Sequence, residues 1–124
     1  MPRIFVIDDD TDLLNVVKTL LIKRSFDVST FTDWQSASDA LKKNEPQLIL
    51  LDVFLPGVDG LDISHRLKSS PVTKHIPILL FSAFPHITEN AIRDYGVDDF
   101  ITKPFEVNDL IKKVHSILSK RGDD

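Results

Sequence analysis

Cysteine is absent from the 124 residues of this chain. Without a thiol there is no disulfide framework, no thiolate metal site and no cysteine nucleophile. The absence fits a reducing cytoplasm. No apolar stretch approaches the ~20 residues needed to span a bilayer, so contact with a membrane is not predicted. Met1 to Ile7 runs straight into a strand-like segment, which predicts no signal peptide. Basic residues are in deficit: 15 Lys and Arg stand against 19 Asp and Glu, leaving a net charge of −4. That balance disfavours broad electrostatic binding to nucleic acid. Glycine is scarce, at four residues, and none makes a phosphate-cradling loop after the first apolar run. Internal repeats, low-complexity stretches and linker-like segments are lacking too.

What is present is ordinary for a globular protein: 42% hydrophobic and 27% charged residues. The length fits one domain, taken as residues 1–124, and suffices to bury a core. Ile4-Phe5-Val6-Ile7, Leu48-Ile49-Leu50-Leu51 and Ile78-Leu79-Leu80-Phe81 are wholly apolar. Runs without polar alternation suit strands buried on both faces of a parallel sheet. Val28–Phe31 alternates and predicts a more exposed strand, and Phe100–Thr102 a short fifth one.

Helical spacing fills the gaps. Leu13, Leu14, Val17, Leu20 and Leu21 share one face, as do Val107, Leu110, Ile111, Val114, Ile117 and Leu118. Trp34, Ala37 and Leu41 mark a shorter helix. Leu61 and Leu67 anchor another, with Ile63 on its flank. Ile87, Ala91, Ile92 and Tyr95 anchor a fourth that Gly96 closes. The last helix is expected to reach about Lys120, with a frayed tail at 121–124.

Strand and helix therefore alternate five times, which predicts an α/β fold: a doubly wound five-stranded parallel sheet with five helices. Five strands suit the flavodoxin-like order 2-1-3-4-5.

Ligands in such sheets bind beyond the carboxyl ends of the strands. The first apolar run ends in Asp8-Asp9-Asp10, the third strand in Asp52, the fourth in Ser82 and the fifth in Lys103-Pro104. Four strands thus deliver polar groups to one rim. The first and third are neighbours, so Asp8, Asp9 and Asp52 are expected to face one another and repel. A divalent cation relieves that repulsion. An all-oxygen set with few protein ligands suits Mg²⁺. Acidic residues with a lysine and a hydroxyl suit phosphoryl transfer, where positioning and electrostatics do most of the catalysis and a carboxylate can be the nucleophile.

The chain resembles a response-regulator receiver domain of two-component signalling. The matching segments are Val6–Asp10, Leu50–Gly60, Leu80–Ala83 and Asp98–Phe105, in the family's order and spacing, and the likeness covers essentially the whole chain. The resemblance implies a phosphoacceptor rather than an enzyme, with slow self-dephosphorylation at most. Asp52 is then the phosphoacceptor. Asp9 binds Mg²⁺ (or Mn²⁺) directly, with Asp52 and the backbone carbonyl of Phe54, and Asp8 does so mostly through water. Ser82 is the switching hydroxyl, Phe100 the aromatic that turns inward after it, and Lys103 a phosphoryl contact in a cis Lys103-Pro104 unit. Pro56-Gly57 and Gly60 shape the loop after Asp52. The implied donor is a histidine kinase or a histidine phosphotransfer protein. The implied output is a changed surface of the fourth helix, fifth strand and fifth helix, including Tyr95, Phe100 and Phe105, read by an unspecified protein. Homodimerisation through that face is left open. A free-standing receiver and a segment of a longer regulator or hybrid kinase fit equally well.

Other readings carry less. Asp10 or Thr11 is expected to cap the first helix, but capping does not account for Asp8 and Asp9 together. A haloacid-dehalogenase-type phosphatase wants Thr or Val where Asp12 stands. A flavin or nucleotide module lacks its glycine loop, and Asp8 to Asp10 would repel phosphate without a metal. A phosphorylation-independent binding module does not need the full acid, serine and lysine set. His65, His75, His86 and His115 are scattered and read as surface or boundary residues, Trp34 as packing, and Lys42-Lys43, Lys112-Lys113 and Lys120-Arg121 as solvated faces.

Two positions depart from the family pattern: Phe54, often Met or Asn there, and Phe84, often small or polar. Pro85 should bias Phe84 toward extended backbone. Either the two rings flank the site and limit attacking water, or Phe84 packs away and only restricts the loop after Ser82.

Overall fold

The apolar runs lie side by side in the computed structural model, which describes residues 1–120, and for residues 85–89 the backbone only. The expected tail at 121–124, the inward face expected of Ile87 and the surface position of His86 lie outside what is described. In chain order the elements are β1 (Arg3–Ile7), α1 (Thr11–Lys23), β2 (Asp27–Phe31), α2 (Trp34–Leu41), β3 (Leu48–Asp52), β4 (Phe54–Leu55), β5 (Val58–Asp59), α3 (Gly60–Ser69), β6 (Ile78–Ser82), α4 (Pro85–Tyr95), β7 (Asp99–Thr102) and α5 (Val107–Lys120). The main sheet has five strands in the order β2-β1-β3-β6-β7. All its pairings are parallel. Counting only these five strands, the order is the expected 2-1-3-4-5.

Alternation along each strand divides the core between the two faces. Ile4, Val6, Leu48, Leu50, Leu79, Phe81 and Ile101 point to one side and pack under Leu14, Val17 and Leu21 of α1 and the apolar face of α5. Phe5, Ile7, Ile49, Leu51, Ile78 and Leu80 point to the other, against Ala37 of α2, Ile63 and Leu67 of α3 and Ala91 of α4. Strands buried on both sides need no polar alternation, which is why these runs are uniformly apolar.

Helix boundaries follow capping chemistry. Asp10 caps α1 by accepting from the Leu13 N–H at 3.1 Å. Asp33 caps α2 by accepting from the Ser36 N–H at 2.8 Å, and that bond holds its carboxyl below the usual carboxylate range. Gly96 ends α4 at φ 73°, a left-handed position that glycine takes without a Cβ penalty.

Three expectations are corrected. Ile63 is not on the flank of α3 but fully buried, while Leu61 is half-buried: the inward face is Gly60, Ile63, Ser64 and Leu67. Ile92, expected to anchor α4, is 42% exposed, and Val97 fills the core beside that helix instead. Lys113 is not simply solvated, because it pairs with Asp99 at 3.2 Å.

The segment after Asp52 is a small antiparallel hairpin, β4 with β5, that the periodicity did not reveal. Pro56-Gly57 makes its turn, with Gly57 at φ 74° as the second central residue of a proline–glycine turn requires. Gly60 then passes against the backbone it left. Its N–H donates to the Val53 carbonyl at 2.7 Å. A Cβ there would meet the Asp52 carbonyl oxygen and lie 2.7 Å from Val53 Cα. Backbone cannot rotate away as a side chain can. Gly60→Ala is therefore expected to destabilise by roughly 1–3 kcal/mol through overpacking, read as a lower urea midpoint at unchanged slope. A midpoint equal to wild type would show that the hairpin shifts freely.

Candidate functional site

Register alone brings the polar strand ends together. Ile7 pairs with Leu51, so Asp8 and Asp52 leave adjacent strands side by side. Ser82 pairs with Thr102, one residue before Lys103. The Lys103 N–H donates to the Ser82 carbonyl at 2.7 Å, which fixes the start of the following loop. Lys103-Pro104 is cis, as expected.

Burial is unequal among the four acid and base groups. Asp8 is 0% and Asp52 5% exposed. Asp9 lies exposed on the rim and Lys103 is half-buried. The Lys103 ammonium donates to Asp8 Oδ2 at 2.6 Å and lies 3.6 Å from Asp52 Oδ2. Asp8 Oδ1 accepts from the Asp10 N–H at 3.0 Å. Among the described residues, Asp52 Oδ1 receives only a long bond, from the Phe54 N–H at 3.4 Å.

The electrostatics follow from that geometry. Burial, then the neighbouring Asp8 charge, pushes the Asp52 carboxyl up to about 6, with Asp9 adding to it and Lys103 and the Phe54 N–H opposing. Burial would lower the Lys103 ammonium. The hydrogen bond and charge of Asp8, with the charge of Asp52, more than offset this and leave it raised. One lysine is thus set against three carboxylates, and Asp52 is the one whose ionised form burial and the Asp8 charge disfavour.

Asp8, Asp9 and Asp52 each offer an oxygen within 4.8 Å of the others. Three hard oxygen donors brought this close fit a hard divalent cation, whose charge would offset their mutual repulsion. The acidic cluster could therefore hold a metal ion.

Ser82 is fully buried at the same rim, but its hydroxyl is turned to the following loop. It donates to the Phe84 carbonyl at 3.2 Å and accepts from the Phe84 N–H at 2.9 Å. Phe100 is half-buried against the cluster that α2, α3 and α4 cover, with the Lys113 ammonium 5.6 Å from its ring centroid. Tyr95 is half-buried on the same side. Phe105 is stacked on Phe81 at 5.4 Å between centroids, with Lys103 5.9 Å from the Phe81 ring. That stack is a floor under Lys103 that sequence reasoning missed. The signal available for it was an aromatic directly after Lys103-Pro104.

The three histidines with described side chains have partners of their own. His75 faces Glu45 at 2.6 Å. His115 packs beside Phe26 and His65 beside Tyr95. No helix among the described residues is long and apolar enough to cross a membrane.

Known proteins share this sequence pattern and fold. A family model described as the response regulator receiver domain matches residues 4–115. The DNA-binding dual master transcriptional regulator RpaA of Synechocystis is 35% identical over 97% of this chain and 50% of its own length. This chain spans about half the length of the curated relatives it matches. The receiver domain of NtrX from Brucella abortus is 32% identical with a TM-score of 0.84, over 94% of this chain and 98% of that one. The signal receiver domain of a signal transduction histidine kinase from Syntrophus aciditrophicus is 27% identical with a TM-score of 0.88, over 97% and 92%. Receiver domains are in general regulatory phosphoacceptors rather than enzymes. With its sheet order, its acidic rim and a family match across nearly the whole chain, the protein belongs to the response-regulator receiver domains of two-component systems.

Proposed function

We propose that residues 1–124 form one cytoplasmic receiver domain that takes a phosphoryl group onto Asp52 from a histidine kinase or a histidine phosphotransfer protein. An Asp52 carboxylate oxygen attacks phosphorus, the phosphorus–nitrogen bond of the donor phosphohistidine breaks, and the imidazole leaves with the electron pair. Asp9, Asp52 and the Phe54 carbonyl would hold Mg²⁺ or Mn²⁺, with Asp8, already paired to Lys103, acting mostly through water. A bound ion supplies charge neutralisation between carboxylates and phosphoryl oxygens. Lys103 contacts the transferred group. Ser82 leaves the Phe84 backbone for a phosphoryl oxygen, Phe100 turns into the space released, and the α4–β7–α5 surface changes. The protein is a phosphoacceptor with slow self-dephosphorylation at most, not a turnover enzyme. Because its relatives are DNA-binding regulators about twice its length, the output is an effector, either on the same polypeptide or on a partner. The chain makes no direct contact with nucleic acid.

The observation that carries this reading is Asp52 itself. It is a buried carboxylate beside two others and one lysine, with its pKa pushed up to about 6 and, among the described residues, no short hydrogen bond to occupy it. Such a group is costly to keep and is better explained by chemistry than by stability.

Incubation with acetyl phosphate and Mg²⁺ is expected to add one phosphoryl group by intact mass, and Asp52→Asn or removal of the metal is expected to abolish the gain. Folded protein that binds Mg²⁺ yet gains nothing would instead support a phosphorylation-independent binding module.

A further inference from the structure

Asp52 and Ser82 are each tied to a phenylalanine two residues on. The Phe54 N–H donates to Asp52 Oδ1, and the Phe84 backbone both donates to and accepts from the Ser82 hydroxyl. Neither ring is in the core: Phe54 is 51% and Phe84 48% exposed. They meet each other instead, with centroids 5.3 Å apart and planes at 75°. This edge-to-face arrangement sets the positive edge of one ring on the negative face of the other. The contact joins the loop leaving β3 to the loop leaving β6, strands that are hydrogen-bonded neighbours. It closes a circuit from Asp52 through Phe54 and Phe84 to Ser82.

We propose that Phe54 and Phe84 are positioning residues that form an aromatic clasp holding the Ser82 hydroxyl on the Phe84 backbone. Ser82 bonds both polar groups of residue 84, so turning toward Asp52 breaks two hydrogen bonds and leaves that backbone without its side-chain partner. Phe84 is in turn held by the Phe54 ring. Parting the rings then loosens the backbone to which Ser82 is bonded, so the two contacts are coupled through residue 84. An aromatic pair of this kind shifts an equilibrium by roughly 2- to 10-fold, enough to bias the site without locking it. The clasp itself follows from the contacts above, while its effect on signalling rests on Asp52 being the phosphoacceptor. In that role it favours the unphosphorylated arrangement and makes each loop sense the other.

Amide hydrogen exchange tests the clasp without metal or phosphate. In Phe54→Ala the Phe84 amide is expected to exchange roughly 2- to 10-fold faster, although residue 54 takes no part in that hydrogen bond. Amides of β3 should keep their wild-type rates, which separates a local release from general loosening. Phe54→Leu, which keeps apolar bulk without a ring edge, is expected to fall between. Unchanged exchange at Phe84 in Phe54→Ala would overturn the clasp whatever Asp52 does. The second readout is the rate of phosphorylation by acetyl phosphate with Mg²⁺. Phe54→Ala and Phe84→Ala are each expected to speed it by a similar factor, and the double variant no further, because one contact is lost in all three. Additive factors would overturn the coupling. A wild-type protein that takes up no phosphoryl group would overturn the proposed function and leave the clasp to the exchange result.

Discussion

Lys103→Met is expected to cost about 3 kcal/mol of folding stability at neutral pH without divalent metal, near the low end for breaking a buried ion pair. The reason is the partner left behind. The Asp8 side chain is 0% exposed and loses its 2.6 Å contact with the only cation bonded to it among the described residues, while Asp52 and Asp9 remain close. The Lys103 side chain is 24% exposed, so water reaches the vacated space and moderates the loss. The raised pKa of Lys103 sets the pH window. Its stabilisation is fully present below the unfolded value of 10.5 and is lost only as pH rises through the higher folded value. Urea unfolding at neutral pH, with and without Mg²⁺, checks this. Mg²⁺ should restore much of the lost stability, since it brings positive charge to the same carboxylates. A variant as stable as wild type in EDTA would mean that Asp8 is not held as a charge by Lys103.

Asp52→Asn is expected to act with the opposite sign. The Asp52 carboxyl lies at 3.8 in the unfolded chain and about 6 in the fold, so folding favours the protonated form. The folded state therefore binds more protons across that interval, and wild-type stability falls as pH rises from 3.8 through about 6. Asparagine carries no charge to bury. The variant should match wild type near pH ~4 and exceed it by roughly 2 kcal/mol above pH ~7, after discounting the full shift for water at the rim. Mg²⁺ should close the gap, because an ion that binds only the folded wild type adds about 2.7 kcal/mol at a hundredfold excess over its Kd. Denaturant titrations at several pH values decide the matter. A difference independent of pH would place the cost in packing rather than in the buried charge.

These opposite signs show how the site is balanced. Lys103 offsets part of the charge that Asp8, Asp9 and Asp52 bring together, but not all of it. Asp52 is left the less well held of the two buried acids, with a 3.4 Å hydrogen bond where Asp8 has one of 2.6 Å. A site arranged for stability would pair that carboxylate or replace it.

Much of this was legible in the linear chain. Uniformly apolar runs identify strands buried on both faces, and the residue after each run identifies the rim, so Asp8, Asp9, Asp52, Ser82 and Lys103 could be named before any contact was known. Helix faces were legible where the pattern was long, as in α1 and α5. The short α3 misled, because Leu61 and Ile63 both suit an inward face and only the close passage of Gly60 against the Asp52–Val53 backbone decides which of them turns in. The β4–β5 hairpin was hidden because two-residue strands have no period to detect, although Pro56-Gly57 announced the turn.

The sequence by itself determined the strand–helix alternation, the order of the sheet and the set of residues delivered to its carboxyl edge. These depend on residue type and spacing, and the handedness of parallel crossovers leaves few ways to arrange them. Only the tertiary structure decided the electrostatic partition, in which Asp8 takes the lysine and Asp52 is left with a raised pKa. It likewise decided that the Ser82 hydroxyl turns to Phe84 and that the rings of Phe54 and Phe84 touch. Those outcomes turn on side-chain rotamers and on distances between residues far apart in the chain, where an ångström changes a Coulomb energy or breaks a hydrogen bond, and no local pattern encodes them.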